Sequence, residues 1–316
     1  LHLAPQATAA LLGPVDDALS DLRKRVEHYL ARVSLASPLD EAMLRDAAAT
    51  LQHAADRLAK AASANGDAAT GPTPEHRPRV LITGAGGRIG SDLAARLVDR
   101  YELRLMYHRS VPADPPVADW VTADIGTVDD LRSAMEGMDA VVHLAGEPSP
   151  KASWEEVLDA NIVGARNVFE AARLTGVGRV VFASTNHVMG MYDRDGAWPI
   201  YAGQPVRPDS LYGVSKAFGE ALGRFYADQY GMRVVCLRIG WWLPEPTDAI
   251  ANWMWLSPRD GAHIVHRALE AEVRFGVYYA VSANAGRHWD IADAMEQLGY
   301  RPEDDAARRR SAVEST

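Results

Sequence analysis

The chain is poor in the features that would tie it to crosslinks, membranes or nucleic acid. It has one cysteine, Cys236, in 316 residues. That excludes an internal disulfide, and the apolar run Val234-Val235-Cys236-Leu237 marks the thiol as inert core. No apolar stretch is long enough to span a bilayer, and the N-terminus lacks a charged segment followed by an apolar one, so the expected location is the cytoplasm, without a membrane partner. Excess positive charge is missing as well: 33 lysines and arginines face 42 aspartates and glutamates, a formal net charge of −9, which argues against a nucleic-acid partner. The arginine run Arg308-Arg309-Arg310 follows Glu303, Asp304 and Asp305 and reads as part of a solvated, charged tail over 307–316. No metal site is expected. A hydrophobic content of 47% supplies the core of one large α/β domain with a modest appendage.

The appendage is N-terminal. Val15, Leu19, Leu22, Val26, Leu30 and Val33 recur every three to four residues, the stripe of one amphipathic helix. A second begins with Ser37 as N-cap and Pro38 at the first helical position, and carries Leu44, Ala48, Leu51, Ala55, Leu58 and Ala62. Residues 1–62 therefore form a helical hairpin, and 63–78, with Gly66, Gly71, Pro72 and Pro74, a linker. A lone hairpin buries too little apolar surface to stand by itself, so it packs on the main domain or across a homodimer.

From Pro78 onward strands and helices alternate. Val80-Thr83, Leu103-Tyr107, Trp120-Ala123, Ala140-Leu144, Val180-Ala183 and Val234-Ile239 read as strands; 91–99, 128–136, 155–174 and 211–230 read as helices. Six strands in this rhythm give a doubly wound, parallel Rossmann-type α/β sheet over 79–306. Beyond Gly240 the pattern weakens, with Trp241, Trp242, Trp253 and Trp255 among Pro244, Pro246, Pro258 and Gly261. A small C-terminal substrate region is expected there, with the pocket formed largely by 185–212 and 240–290.

Two motifs carry chemistry. Thr83-Gly84-Ala85-Gly86-Gly87-Arg88-Ile89-Gly90 joins the first strand to a helix, the arrangement in which backbone N–H groups and a helix N-terminus face a pyrophosphate. Glycines suit it because some positions need positive φ and others must let a phosphate approach the backbone. In Tyr212-Gly213-Val214-Ser215-Lys216, tyrosine and lysine lie one helical turn apart on one face, so the ammonium can act on a phenol whose ordinary pKa is about 10. Together they point to a nicotinamide-dependent enzyme. Taken singly, each has a plainer reading, as a glycine-rich turn without ligand or an ordinary i,i+4 pair.

These stretches, with Asp124-Ile125, Val142-His143-Leu144-Ala145-Gly146, Asn161-Ile162-Val163-Gly164 and Phe182-Ala183-Ser184-Thr185-Asn186-His187, resemble the extended short-chain dehydrogenase/reductase family, which includes nucleotide-sugar epimerases and dehydratases. The likeness covers about Arg79 to Ala306. Ser184-Thr185-Asn186-His187, Leu211-Tyr212-Gly213-Val214-Ser215-Lys216, Arg238-Ile239-Gly240, Pro244-Glu245-Pro246 and Ser282-Ala283-Asn284 look most like uronate dehydrogenases. The resemblance implies Tyr212 as acid/base, Lys216 lowering the phenol pKa and holding the nicotinamide ribose, and Thr185 hydrogen-bonding the reacting oxygen, with Ser184 in support. It implies cofactor contacts from Gly84, Gly87, Arg88, Ile89, Gly90, His108, Arg109, Asp124, Ile125, Leu144, Ala145, Gly146, Asn161 and Ile239, besides Tyr212 and Lys216. It places substrate beside Ser149, Thr185, Asn186, His187, Trp241 and Ile250; the plainer reading of His187 is an ordinary hydrogen-bonded histidine.

The chain departs from that pattern twice. Tyr107 stands where NAD-using members carry the acidic residue that binds the adenosine ribose, and Arg109 follows, which favours NADP over NAD. Trp241 stands at a serine position and Ile250 at about the position of an arginine that binds the sugar carboxylate in uronate dehydrogenases. An unpaired carboxylate there would be costly to desolvate, so a flatter, more apolar or less oxidised substrate is expected unless Arg259 supplies the charge; alternatively the tryptophans are core. The reading is an NAD(P)-dependent oxidoreductase acting on an alcohol, hemiacetal or carbonyl carbon of a small, sugar-like or aromatic substrate. Its alternatives are an epimerase/dehydratase that retains its cofactor and a non-catalytic NADP-binding regulator.

Overall fold

The computed structural model describes residues 77–117, 119–247 and 251–309. The hairpin over 1–62, nearly all of the linker, Ile250 and the end of the charged tail lie outside the described residues. In chain order the elements are β1 (Arg79–Thr83), α1 (Arg88–Leu97), β2 (Glu102–Tyr107), β3 (Trp120–Thr122), α2 (Val128–Met135), β4 (Ala140–His143), α3 (Trp154–Val157) and α4 (Gly164–Leu174). Then follow β5 (Arg179–Thr185), α5 (Gly190–Arg194), α6 (Leu211–Tyr230), β6 (Arg233–Ile239), β7 (Trp241–Trp242), α7 (Ala251–Met254), β8 (Trp255–Leu256), α8 (Pro258–Glu270), β9 (Phe275–Ala280) and α9 (Ala292–Gln297).

Val80, Leu81 and Ile82 are fully buried, as continuous apolar runs must be in a sheet covered on both faces. Seven strands form one sheet in the order β3-β2-β1-β4-β5-β6-β9, and every pairing in it is parallel. The doubly wound Rossmann-type fold is thus present, with one strand more than expected. β9 was missed because it lies past Gly240, where tryptophans and prolines blur the alternation; it pairs with β6 from Val234↔Phe275 to Ile239↔Ala280. Leu93, Leu97, Ile264 and Val265 fill the core on one face of the sheet, and Leu131, Val168, Phe169 and Tyr226 fill it on the other.

The strand order reverses between β1 and its two neighbours: Thr83 is level with Met106 of β2 and with His143 of β4. Such a switch point opens a crevice at the carboxyl ends of the strands. Past β4, the expected continuous helix over 155–174 is interrupted. A capping box starts α3, with Ser153 Oγ accepting from Glu156 N at 3.3 Å and Ser153 N donating to Glu156 Oε2 at 2.8 Å. The next six residues, Leu158–Val163, then widen into a π-helix before α4. The buried Asn161 lies in that wide turn, a common device where a side chain must be aimed at a site.

Candidate active site

The first half of the site is made largely of backbone. Gly84 has φ +70°, and a Cβ there would lie 2.8 Å from Ala145 N. A Cβ on Gly90 would collide with the Gly84 carbonyl oxygen, so α1 can start this close to the turn only with glycine. Gly87, the N-cap of α1, makes no side-chain cap bond, and the first turn has no acidic residue. A helix N-terminus so arranged favours an anion. Thr83 ties β1 to β4: its Oγ1 accepts from Leu144 N and Ala145 N at 3.2 Å each and lies 2.9 Å from His143 Nδ1. With its acceptor sites taken, the hydroxyl donates to Nδ1, which requires a neutral imidazole. Burial, helped by the charge of Lys216, holds His143 down at about 3.

The second half is made of side chains around α6. Ser210 caps that helix, its Oγ accepting from Gly213 N at 3.1 Å. A Cβ on Gly213 would lie 2.5 Å from the His187 carbonyl oxygen, so glycine lets the helix press against the turn that follows β5. Tyr212 and Lys216 project from the first two turns of α6 toward Thr185 at the end of β5. Burial raises the Tyr212 phenol above its ordinary value; a hydrogen bond with Thr185 opposes this, and the charge of Glu147 adds to it. Lys216 Nζ lies 5.9 Å from the Tyr212 ring centre and 5.1 Å from that of Phe182, and burial brings it down to about 8. The lowering influence on the phenol in this arrangement comes from Thr185.

Three buried partners fix these groups. Asn161 donates to Ser215 Oγ at 2.9 Å and to the Glu147 carbonyl at 3.0 Å, and accepts from Glu147 N at 2.8 Å, clamping the loop after β4 to α6. Asp209 holds His187 Nδ1 at 2.9 and 3.0 Å and accepts from Ser210 Oγ at 3.0 Å; the His187 ring stands edge-on to Tyr212 at 5.8 Å. Glu220 accepts from Ser184 Oγ at 2.5 Å and from Arg238 Nε and Nη2 at 2.8 Å each. Both halves open into one cavity of about 1630 Å³, larger than the ~300–1,000 Å³ usual for one small ligand.

The sequence profile of the NAD dependent epimerase/dehydratase family matches residues 80–243, just over half the chain and the whole of this site except its C-terminal wall. The chain belongs to that family. It is similar to an L-arabinose 1-dehydrogenase (NAD(P)(+)) of Haloferax volcanii, 39% identical over 252 residues that cover 72% of this chain and 98% of that protein. A uronate dehydrogenase of Pseudomonas putida is 38% identical over 240 residues, covering 75% and 88%. Among solved structures, a mutant of uronate dehydrogenase from Agrobacterium tumefaciens complexed with NAD superposes with a TM-score of 0.68 at 35% identity, covering 76% of this chain and 90% of that one. The reading as an extended short-chain dehydrogenase/reductase is borne out.

Within this epimerase/dehydratase-family site, the structure brings together most of the residues singled out from sequence. Gly84, Gly87, Arg88, Ile89, Gly90, His108, Arg109, Asp124, Ile125, Leu144, Ala145, Gly146, Thr185, Asn186, His187, Tyr212, Lys216, Ile239 and Trp241 all line the cavity. Asn161 and Ser149 are placed behind its wall: Asn161 spends its amide on Glu147 and Ser215, and Ser149 N donates to Glu147 Oε1 at 2.9 Å. Ile250 lies outside the described residues. Arg259 is committed elsewhere, to Asp304 and Glu303 at 2.8 Å each. The tryptophans divide: Trp241 is a half-buried cavity wall, Trp242 both lines the cavity and donates to Asp92 Oδ2 at 3.2 Å, and Trp255 is buried core. Glu147, Asp209 and the Glu220–Arg238 pair were missed. Only Asp209 had a local signal, directly after Pro208 and just before the helix cap.

Proposed function

We propose that the protein oxidises or reduces one carbon of a small sugar, an alcohol or hemiacetal centre, with a nicotinamide cofactor. The reading is carried by Thr185, Tyr212 and Lys216 converging in a cavity whose other half is a glycine cradle that a Cβ would fill. Those glycines, the helix N-terminus of α1 and the backbone at Leu144–Gly146 fit a dinucleotide. The nicotinamide, when bound, accepts or returns the hydride. Tyr212 takes the hydroxyl proton as hydride leaves the carbon, and returns it in reduction; Thr185 hydrogen-bonds the same oxygen. Lys216 holds the nicotinamide ribose and places positive charge near the phenol. Asn186 and His187 orient the sugar. Identity near 39% to a sugar dehydrogenase along almost its whole length supports this reading over an epimerase. Tyr107 at the acidic position and Arg109 beside it favour NADP.

The test is Tyr212→Phe, assayed by nicotinamide absorbance against a sugar panel with both cofactors. Expected is a fall in kcat of about 10²–10⁴-fold with cofactor binding retained; near-normal kcat removes the assignment. Because burial and Glu147 raise the phenol, the base form is scarce at neutral pH. Oxidation should therefore rise with pH and reduction fall.

A further inference from the structure

We infer that the substrate half of the cavity takes an uncharged sugar and rejects sugar acids and sugar phosphates, with Glu147 and Trp241 setting that choice. This rests on the dehydrogenase reading and adds the charge of the substrate to it.

The basic side chains along the described cavity wall are Arg88, His108, Arg109, His187 and Lys216. Arg88 belongs to the turn after β1, and His108 and Arg109 follow β2, so all three sit around the glycine cradle. Lys216 lies beside the same backbone: a Cβ on Gly146 would be 3.7 Å from its Nζ. His187 is left at the substrate end, its Nδ1 held by the Asp209 carboxylate at 2.9 and 3.0 Å; Arg194, which does not line the cavity, approaches the same carboxylate at 3.6 Å and is thereby occupied. From the stretch after β6, Trp241, Trp242 and Met254 line the cavity; the sequence from 241 to 258 holds no lysine or arginine, and its Glu245 is paired with Arg309. The opposite wall, after β4, contributes Glu147, Glu156 and Asp159.

A carboxylate or phosphate entering here would lose its hydration on the side of Glu147, Glu156 and Asp159 and meet no lysine or arginine among the described residues that line this end, which is strongly unfavourable. A neutral sugar meets what it needs. Its hydroxyls can donate to the Glu147 carboxylate and pair with Asn186 and His187, and its C–H face can lie on the Trp241 indole, whose apolar body and polar edge suit a ligand of mixed character.

The experiment compares sugars that differ only in charge: galactose with galacturonate and galactose 6-phosphate, and glucose with glucuronate and glucose 6-phosphate, plus L-arabinose as a further neutral sugar. Steady-state rates are measured with NAD and NADP, and binding by tryptophan fluorescence of Tyr212→Phe in the presence of the reduced cofactor. The expected kcat/KM for the neutral member exceeds that of its anionic counterparts by about 100-fold, and Glu147→Gln narrows the ratio by about tenfold. Neutral sugars alone should quench the fluorescence in the micromolar to millimolar range. An acid or phosphate turned over within tenfold of its neutral partner overturns the inference, while loss of that turnover in Tyr212→Phe would leave the dehydrogenase reading standing. If no sugar, neutral or anionic, is either oxidised or bound, both readings fail.

Discussion

The two halves of the cavity are built on opposite principles. Around the glycine cradle the wall is backbone, and what matters is how closely chain segments approach: β1 against the loop after β4, α1 against its own turn. Around Tyr212 the wall is side chain, and what matters is which buried charges have partners. Arg238 is one extreme, nearly sealed from solvent and held in a fork by Glu220. Lys216 is the other, buried on the same side of β5 with no carboxylate in hydrogen-bond reach among the described residues, and its ammonium is correspondingly easier to deprotonate. A paired charge braces the fold; an unpaired one costs stability.

The largest break in this contrast comes from Glu220→Gln. The substitution leaves Arg238 buried without its counter-charge and turns one of the two oxygens that accept from it or from Ser184 into an amide donor. Removing one partner of a buried pair costs about 3–5 kcal/mol. We expect the urea midpoint to fall accordingly, with a matching loss in Arg238→Met and less than the sum of the two in the double variant Glu220→Gln/Arg238→Met; independent, additive losses would show that the two do not act as a pair.

Lys216→Met should move stability the other way while abolishing turnover. The ammonium sits at about 8 in the folded protein against its ordinary 10.5, which corresponds to a cost of about 3 kcal/mol. The sign follows from proton counting. Below about pH 8 the folded state carries the buried charge and the cost is complete; between about 8 and 10.5 the unfolded chain binds more protons, so stability rises with pH. The variant should be more stable at pH 7 and lack this component of the slope. Equal midpoints for the two proteins at pH 7 would mean the ammonium is adequately solvated by the cavity.

How far each half could be read in advance follows the same division. Backbone requirements are written in residue types that have few other uses: Gly84, Gly87 and Gly90 after an apolar strand announce both the fold and the cradle, and Tyr212-x-x-x-Lys216 announces a shared helix face. Charge balance is written in pairs far apart in sequence. Nothing local links Glu220 to Arg238, or Glu147 to Tyr212, and β9 stays hidden because its partner β6 is supplied by tertiary packing. Asn161 was recognised by its motif, yet its job, clamping the β4 loop to α6, depends on a π-helical turn that no periodicity reveals.

Gly90→Ala tests the backbone half. The added methyl meets the Gly84 carbonyl oxygen and Ala85 Cα, so α1 must shift away from its turn. Overpacking of this kind costs about 1–3 kcal/mol. We expect the loss chiefly in cofactor affinity, with a smaller drop in melting temperature, since the helix can move outward while the sheet beneath it holds. A melting temperature that falls with affinity unchanged would place the collision away from the cradle.

The smallest expected effect concerns the proposed preference for NADP. Tyr107 packs against Gly86, a Cβ there lying 3.4 Å from its ring, and occupies the position from which a carboxylate would repel a 2′-phosphate. Arg109 stands at the cavity rim, exposed. A charge-assisted hydrogen bond is worth about 1.5–3 kcal/mol, and solvent screening at an exposed site holds the gain to the lower end. Arg109→Ala should therefore weaken NADP by about tenfold and leave NAD almost unchanged, read by titration of each reduced cofactor. The effect should shrink with added salt, because the pair is within reach of counter-ions. Tighter binding of NAD than NADP by the unaltered protein would show that Tyr107 tolerates both ribose forms and that Arg109 is an ordinary surface residue.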